Sequence, residues 1–309
     1  MRSQTTSHIL MIRPVNFGFN QETAESNAFQ NAAFGKANED KAQHYALKEF
    51  DEMVDQLRKA GVNVIVIDDT TSPYTPDSIF PNNWVSFHGN GTVITYPMQA
   101  ENRRLERRDD IIKQIEEQFY INRRIDLSGF ESEGKFLEGT GSMVLDRKFK
   151  IAYACLSPRT HEDVLKEFSI QMNYEIVNFN AIDGAGKQIY HTNVVMCIGD
   201  MFAVICLEAI PDLDERLMVR NSLEQSGKQV VAISLEQMNQ FAGNMLEVKS
   251  IKGEKLLIMS SAAYHSLTPK QIDILDDYCA IHHFDLQMIE GNGGGSARCM
   301  MAEVHLPVR

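Results

Sequence analysis

Residues 84–97 read WVSFHGNGTVITYP, two runs of strand-forming residues joined by a turn that contains Gly and Asn. This pattern predicts a β-hairpin. Three later stretches share it: SMVLDRKFKIAYACL (142–156), VVMCIGDMFAVICL (194–207) and NMLEVKSIKGEKLLIM (244–259). The hairpins recur at intervals of roughly 50 to 60 residues, a period that indicates a repeated architecture.

The two ends of the chain supply a fifth hairpin in this scheme. The stretch ARCMMAEVHLPV from Ala297 would pair with HILMIRP near the N-terminus and so close a ring. Apolar residues at helical spacing predict helices between the hairpins, near residues 42–60, 103–118, 160–170, 213–225 and 268–281. Short strands are predicted after several of them, including VNVIVIDD (62–69), QVVAIS (229–234) and FDLQMIE (284–290).

Five such units predict an α/β fold, a five-bladed α/β propeller with pseudo-five-fold repeats around a central site. A Rossmann sheet is disfavoured because no glycine-rich fingerprint follows the first strand. A mixed α+β fold would show the same alternation of elements and remains the alternative.

The composition favours a small-molecule partner. The formal net charge of -12 disfavours nucleic acid, since the one basic cluster, residues 103–108, is interleaved with acids. No apolar run approaches the roughly 20 residues of a membrane span, and the N-terminus lacks the apolar stretch of a secretory signal. We therefore expect a cytoplasmic protein without a membrane partner. The composition leaves open whether the protein forms a homo-oligomer.

The five cysteines form no CxxC pair and no zinc-finger spacing, and their number is odd. Neither a disulfide framework nor a structural metal is predicted, and we expect an enzyme without a cofactor. Each cysteine therefore has to be judged by its own position.

One residue with catalytic or polar chemistry comes just before each hairpin. These residues are Asp77, Glu138, His191, Asn244 and Cys299. Equivalent points of a ring converge on its axis, so we expect a thiol, an imidazole and two carboxylates to share one pocket. Nucleophilic catalysis needs this combination of side chains.

Each of the three candidate catalytic residues also has a simpler interpretation. Cys299 follows the glycines of residues 293–295, which let the backbone approach a ligand, but free cysteines are commonly small core residues. His191 titrates near neutral pH and suits acid–base chemistry, yet it is one of nine histidines. Glu138, in a turn with glycines, is either an orienting carboxylate or a solvated turn acid.

Candidate substrate-binding residues lie in two further segments. Asp77, Asn82 and Asn83 belong to a loop of turn-forming residues before the hairpin at residue 84. Arg104 and Arg159, with Arg103 as a neighbour, are candidates for a bidentate carboxylate clamp. Arginines at helix starts are equally typical of a solvated surface.

Six motifs occur in order along nearly the whole chain: PDSIF (76–80), NRRLE (102–106), LEGTGS (137–142), LSPRT (156–160), YHTN (190–193) and GGGSARC (293–299). At these residues the sequence resembles the guanidino-group modifying superfamily with the pentein fold. That superfamily includes arginine deiminases, dimethylarginine dimethylaminohydrolases, amidinotransferases, arginine dihydrolases and citrulline hydrolases.

The resemblance implies one amidinotransferase-like catalytic domain over residues 1–309. It assigns Cys299 as the nucleophile, which attacks the trigonal carbon and forms a thiouronium-type intermediate that water hydrolyses with release of ammonia. His191 would serve as acid and base, and Glu138 would orient it or hold the substrate. Asp77 would contact the substrate, Arg104 and Arg159 its α-carboxylate. Asn244 is a further candidate substrate-binding residue, predicted only from its position in the repeat.

Two departures from the family pattern bear on the substrate. Asn82 and Asn83 replace an acidic pair that commonly binds the guanidinium, and Ser142 replaces an Asp. An amide offers a donor as well as an acceptor and suits a neutral ureido oxygen. The sequence therefore predicts a hydrolase of arginine or citrulline, of the deiminase, dihydrolase or citrulline hydrolase type, and favours a ureido substrate.

Two other functions belong to the same fold. An amidinotransferase would pass the group from the same covalent intermediate to an amine. A ribosome-binding pentein, resembling the initiation factor, would have no catalytic machinery. The retention of Cys299, His191 and Glu138 together argues against the second, as does the acidic charge.

Overall fold

The computed structural model describes residues 3–309, and within this range the strands form five sheets of three strands each. In chain order the strands are β1 (His8–Arg13), β2 (Asn63–Asp68), β3 (Val85–Phe87), β4 (Thr92–Thr95), β5 (Arg123–Asp126), β6 (Val144–Asp146), β7 (Ile151–Cys155), β8 (Glu175–Phe179), β9 (Met196–Ile198), β10 (Phe202–Ile205), β11 (Gln229–Ala232), β12 (Leu246–Lys249), β13 (Lys255–Ser260), β14 (Ala280–Phe284) and β15 (Ala302–Glu303).

All five sheets share one topology. The middle strand pairs antiparallel with its hairpin partner and parallel with a third strand that follows in the chain after a crossover. The first sheet joins both ends of the chain, because β15 pairs antiparallel with β1 through Ile9 opposite Glu303 and Leu10 opposite Ala302. The four internal hairpins and the terminal pairing thus agree with the repeat that the sequence predicts.

Helices lie between these strands. They are α1 (Gln21–Ala24), α2 (Ala32–Ala37), α3 (Ala42–Lys59), α4 (Glu101–Arg104), α5 (Asp109–Glu116), α6 (Gly139–Ser142), α7 (Glu162–Met172), α8 (Thr192–Val195), α9 (Leu213–Gln225), α10 (Leu235–Asn239), α11 (Ser261–Ser266), α12 (Pro269–Asp276) and α13 (Gln287–Gly293). Short 3₁₀ turns cover Pro81–Asn83, Ser128–Glu133 and Leu207–Ala209.

The longer helices are amphipathic and have identifiable ends. In α3 the residues Ala46, Phe50, Val54 and Leu57 recur at helical spacing and are buried. Helix α12 begins after Thr268, whose side chain and that of Gln271 form a capping box. Burial of one apolar face therefore holds α3 against β1 and β2.

The structure corrects three predicted elements. The helix predicted over residues 103–118 is two helices, α4 and α5. The helix predicted over residues 268–281 ends at Asp276, and strand β14 begins at Ala280. The stretch FDLQMIE, predicted as a strand, is mostly helix α13.

A tertiary contact explains the last correction. The carboxylate of Glu49, on α3, accepts hydrogen bonds from the backbone N–H groups of Met288 and Ile289, at 2.8 and 3.0 Å. These are donors of the first helical turn, which need a partner. Local sequence does not reveal an acceptor 239 residues away.

Two negative findings concern residues 3–309. No helix in this range is both long and apolar enough to cross a bilayer. The same range holds no cluster of three or more His, Cys, Asp or Glu side chains arranged to bind a metal ion.

Candidate active site

The segments that precede the hairpins bring their polar residues together. His191 and Glu138 are the N-cap residues of the short helices α8 and α6, and His191 Nε2 lies 2.8 Å from Glu138 Oε2. Asn244 Nδ2 lies 3.3 Å from Cys299 Sγ. Both pairs are buried, at no more than 3% exposure for any of the four residues. Each contact joins residues more than 50 positions apart in the chain.

Cys299 lies in the turn between α13 and β15 rather than in a strand. Its sulfur is an acceptor in two contacts, because the amide groups of Asn193 and Asn244 both donate to it at 3.3 Å. The side-chain oxygen of Asn244, Oδ1, accepts a hydrogen bond from the backbone N–H of Arg298 at 3.0 Å, which fixes the orientation of this side-chain amide. The thiol is therefore held by two donors.

A small cavity opens onto Cys299. Its volume is about 10 Å³, which is room for a single water molecule. The lining residues are Asn27, Asp77, Phe80, Asn83, Arg103, Arg159, Tyr190, His191, Gly293, Gly295 and Cys299. A much larger cavity, about 790 Å³, lies at His88, Arg147 and His305 and contains none of the predicted site residues.

Glycines in the LEGTGS motif allow the close packing around this cavity. Gly139 has φ +47°, and a Cβ there would overlap the backbone oxygen of Asn82. A Cβ on Gly141 would overlap Asn83 Nδ2 and lie 2.8 Å from the His191 ring. The motif therefore lets Asn83 and His191 approach each other.

Glu138 is the shared carboxylate of the site. Its Oε2 accepts from His191 and lies 3.5 Å from Arg159 Nη1 and 4.0 Å from Arg103 Nη1. Burial opposes ionisation, but the charge of Arg159 and the hydrogen bond from His191 hold the pKa of Glu138 well below its usual range. Glu138 is therefore a carboxylate at neutral pH.

His191 is neutral in this environment. Burial lowers its pKa to about 4, and the positive charges of Arg159 and Arg103 lower it as well, against the raising effect of Glu138. A neutral imidazole that donates from Nε2 to Glu138 keeps an acceptor lone pair on Nδ1. That nitrogen can take a proton from a thiol or from water.

Two polar atoms of the cavity lining have no hydrogen-bond partner among residues 3–309. They are Asp77 Oδ1 and Asn83 Nδ2. Burial raises the pKa of Asp77, while Arg103 at 3.8 Å and the hydrogen bonds that Oδ2 accepts from Asn20 and Thr23 favour its ionised form. In that form Oδ1 is an acceptor, and Asn83 Nδ2 is a donor.

Arg159 closes one side of the cavity. Its Nη2 donates to Ser26 Oγ at 2.6 Å and to the carbonyl oxygen of Thr23 at 3.1 Å, and its guanidinium lies 4.8 Å from the centre of the Tyr190 ring. Its counter-charge is Glu138. The N-terminal segment near Thr23 and Ser26 had no signal in the sequence and is a part of the site that sequence reasoning missed.

The structure places the remaining predicted residues differently. Arg104 lies outside the cavity, because its guanidinium donates to the carbonyl oxygens of Met98 and Gln99 at 3.0 and 3.2 Å. Arg103, predicted only as its neighbour, lines the cavity instead. Asn82 does not line it and donates to Thr140 Oγ1 at 3.3 Å.

Two residues of the sequence motifs have roles that their types did not reveal. Asn193, the last residue of YHTN, contacts the sulfur of Cys299. Ser142, where the family pattern has an acid, donates to the carbonyl oxygen of Arg159 at 2.7 Å and so supports the backbone of that segment.

Residues 13–306 match a family model described as N,N dimethylarginine dimethylhydrolase, eukaryotic. A search of curated proteins gives no match to the chain.

Solved structures match over nearly the whole chain. The N-terminal domain of ArgZ, covalently bound to a reaction intermediate, gives a TM-score of 0.75 at 17% identity over 97% of this chain and 98% of that one. ArgZ is described as an arginine dihydrolase from the ornithine-ammonia cycle in cyanobacteria. The ternary complex of AgrE with ornithine and NAD⁺ gives a TM-score of 0.76 at 18% identity, and the match covers 98% of this chain and 40% of AgrE.

A dimethylarginine dimethylaminohydrolase variant, as an adduct with S-methyl-L-thiocitrulline, gives a TM-score of 0.66 at 14% identity. This match covers 98% of this chain and all of the other. At these identities the matches establish the fold. They confirm the predicted five-bladed α/β propeller fold.

Proposed function

The chain belongs to the N,N dimethylarginine dimethylhydrolase family, and from that premise we propose that it hydrolyses the ureido C–N bond of citrulline, or of a closely similar amino acid, through a covalent intermediate on Cys299. The products would be ornithine, ammonia and carbon dioxide. The catalytic residues in this proposal are Cys299, His191 and Glu138.

The observation that carries the choice of substrate is a pair of unpartnered polar atoms on residues that line the cavity. In the ionised form of Asp77 its Oδ1 is an acceptor, and Asn83 Nδ2 is a donor; both residues line the cavity that opens onto Cys299. A ureido group has N–H donors and a carbonyl acceptor, so it can satisfy both atoms. A guanidinium has only donors and would leave the Asn83 amide unpaired, which a buried polar site penalises strongly.

Charge also bears on the choice of substrate. Arg103 and Arg159 are buried cations in the cavity lining, and three buried carboxyl groups, those of Asp77, Glu106 and Glu138, lie within 4.0 Å of them. A ureido group adds no charge to this set, whereas a guanidinium adds a third buried cation.

In the first half of the reaction, His191 Nδ1 takes the proton of the Cys299 thiol and the sulfur attacks the ureido carbon. A C–S bond forms, and the carbonyl electron pair moves to oxygen, where Asn83 Nδ2 donates a hydrogen bond. The oxyanion then collapses, the C–N bond to the terminal nitrogen breaks, and ammonia leaves with the proton from His191.

The second half hydrolyses the resulting thiocarbamate. His191 deprotonates a water molecule, whose oxygen attacks the same carbon; the C–S bond breaks, and the sulfur takes the proton back from His191 to regenerate the Cys299 thiol and the neutral imidazole. The carbamate of ornithine then loses carbon dioxide. One citrulline and one water therefore give one ornithine, one ammonia and one carbon dioxide. Glu138 keeps His191 in the required tautomer throughout.

Arg159 suits the α-carboxylate of the amino acid. Its guanidinium donates to neutral oxygens of Ser26 and Thr23, which a substrate carboxylate could replace with a stronger, charge-assisted pair. Because the cavity has room for about one water molecule, binding of an amino acid requires these contacts to separate.

Product analysis tests the proposal. The wild-type protein is incubated separately with citrulline and with arginine, and ammonia, citrulline and ornithine are followed. We expect ornithine and ammonia from citrulline, with a kcat/KM at least about 100-fold above that for arginine. Addition of glycine should give no new carbamoyl product from citrulline and no new amidino product from arginine, because water is the acceptor. Citrulline as the end product from arginine, or no turnover of either compound, would overturn the proposal.

The pH profile provides an independent prediction. His191 acts as a base in its neutral form, and its pKa is lowered to about 4, so kcat/KM for citrulline should stay level on the acid side down to about pH 4 and fall below it. Arg159→Met removes a charge that opposes protonation of His191 and should move this limb toward pH 6.5. Circular dichroism at each pH checks that the fold persists. A wild-type limb centred at pH 6.5 would contradict this assignment.

A further inference from the structure

We propose that Arg103 is a positioning residue, which fixes the orientation of the Asn83 amide and thereby makes the site select a ureido group over a guanidinium. The inference rests on the proposed function and extends it, because it assigns substrate preference to a residue that need not touch the reacting atoms.

Arg103 is held rigidly. Its Nε and Nη2 donate to the two carboxylate oxygens of Glu106 at 2.8 and 2.9 Å, a bidentate pair in which both side chains are buried. Nη2 also faces the carbonyl oxygens of Asp77 and Phe80, each at 3.4 Å. A planar guanidinium held in this way has one remaining direction in which to donate, through Nη1.

That direction is occupied by Asn83. Arg103 Nη1 donates to Asn83 Oδ1 at 3.0 Å. Arginine has no acceptor, so only the oxygen of the amide can face it, and a flipped amide would oppose two donors. The contact therefore determines which end of the Asn83 side chain points elsewhere.

The other end lies near the catalytic histidine, because both groups lie close to Gly141. Asn83 Nδ2 lies on the side of Gly141, where an added Cβ would overlap it and would also lie 2.8 Å from the His191 ring. The nitrogen has no partner among residues 3–309. The cavity therefore presents a fixed N–H donor beside His191, where a ureido oxygen can accept and a guanidinium N–H cannot.

Arg103→Lys tests this role, because it keeps the positive charge and removes the planar fork. A lysine can pair with Glu106 but does not fix the amide as well. We expect the ratio of kcat/KM for citrulline to kcat/KM for arginine to fall about tenfold. If Arg103 supplies only charge, the ratio will stay at its wild-type value and the inference is wrong.

The same substitution in an Asn83→Asp background separates positioning from other effects. A carboxylate has two equivalent oxygens, so it has no donor end to orient. We expect Asn83→Asp alone to lower the ratio at least about 100-fold, and Arg103→Lys to change it no further in that background. Equal changes in the two backgrounds would show that Arg103 acts independently of the Asn83 amide and would overturn the inference.

Two further variants control for folding. Arg107→Lys alters a similar arginine–glutamate pair, with Glu131, outside the cavity, and should leave the ratio unchanged. If Arg103→Lys does not fold, as judged by thermal unfolding, Glu106→Gln can be used instead. It weakens the bidentate pair with Arg103 and should also lower the ratio of kcat/KM for citrulline to kcat/KM for arginine. An unchanged ratio in a folded Glu106→Gln protein would count against the inference.

Different results would overturn the proposed function and the positioning role. A wild type that prefers arginine or turns over neither compound overturns the proposed function. A wild type that prefers citrulline, with a ratio insensitive to Arg103→Lys, leaves the proposed function standing and removes only the positioning role.

Discussion

Cys299→Ser will lower kcat for citrulline by at least about 10³-fold, because a serine hydroxyl is a far weaker nucleophile than the thiol. A hydroxyl is also less acidic than a thiol, so His191 deprotonates it less readily. The substitution is nearly isosteric, and the amides of Asn193 and Asn244 can donate to an oxygen as they do to sulfur. Substrate binding should therefore persist, and isothermal titration of the variant with citrulline should still show it.

Cys279→Ser is the matched control. Cys279 is also buried, and its Sγ lies 3.6 Å from the carbonyl oxygen of Leu275, so a hydroxyl there keeps its acceptor. This variant should retain the wild-type kcat. If both variants lose activity equally, or if Cys299→Ser keeps it, the nucleophile is not Cys299.

Glu138→Gln is expected to have the second largest effect, a loss of about 10³-fold in kcat. The amide no longer fixes His191 with a proton on Nε2 and a lone pair on Nδ1, and loss of the orienting carboxylate in a comparable arrangement costs about 10⁴-fold. The variant also leaves Arg159 without its buried counter-charge, so the free energy of unfolding should fall by roughly 3 kcal/mol. Steady-state kinetics and urea unfolding measure the two effects separately.

Glu131→Gln distinguishes a catalytic effect from a loss of ion pairing. Glu131 pairs with Arg107 and Arg104 and does not line the cavity. It should lower stability with little change in kcat. A Glu138→Gln protein that loses stability but keeps its kcat would assign Glu138 a structural role only.

The repeat could be predicted from the sequence because each blade contains a hairpin, a local structure whose two strands and turn are contiguous. The terminal pairing is the exception, since β15 consists only of Ala302 and Glu303 and meets β1 at the other end of the chain. The strand prediction for FDLQMIE was wrong for the opposite reason, because a contact with a distant residue decides its structure. Its apolar run suits a buried strand or a helix, and the carboxylate of Glu49 that caps α13 comes from a distant helix.

The central residues of the site could also be predicted, since position relative to the repeat is readable from sequence. Cys299, His191, Glu138, Asp77 and Asn244 all lie at the ends of segments that the ring brings together. Distances between these side chains, such as 2.8 Å from His191 to Glu138, could not be predicted.

The sequence could not tell which of two neighbouring arginines lines the cavity. Arg103 and Arg104 are neighbours on α4, and consecutive residues of a helix point about 100° apart. One therefore faces the cavity and the other the carbonyl oxygens of Met98 and Gln99. The resemblance favoured Arg104, whereas in the structure Arg103 is the neighbour that lines the cavity.

The most direct test of the central claim is a mass measurement of the covalent intermediate. Wild-type protein is mixed with citrulline, quenched with acid during turnover and digested, and the peptide that carries Cys299 is weighed. We expect an adduct on Cys299 with the mass of citrulline less ammonia, which disappears when citrulline is exhausted. Steady release of ornithine without any adduct on this peptide, or with an adduct on another residue, would contradict it.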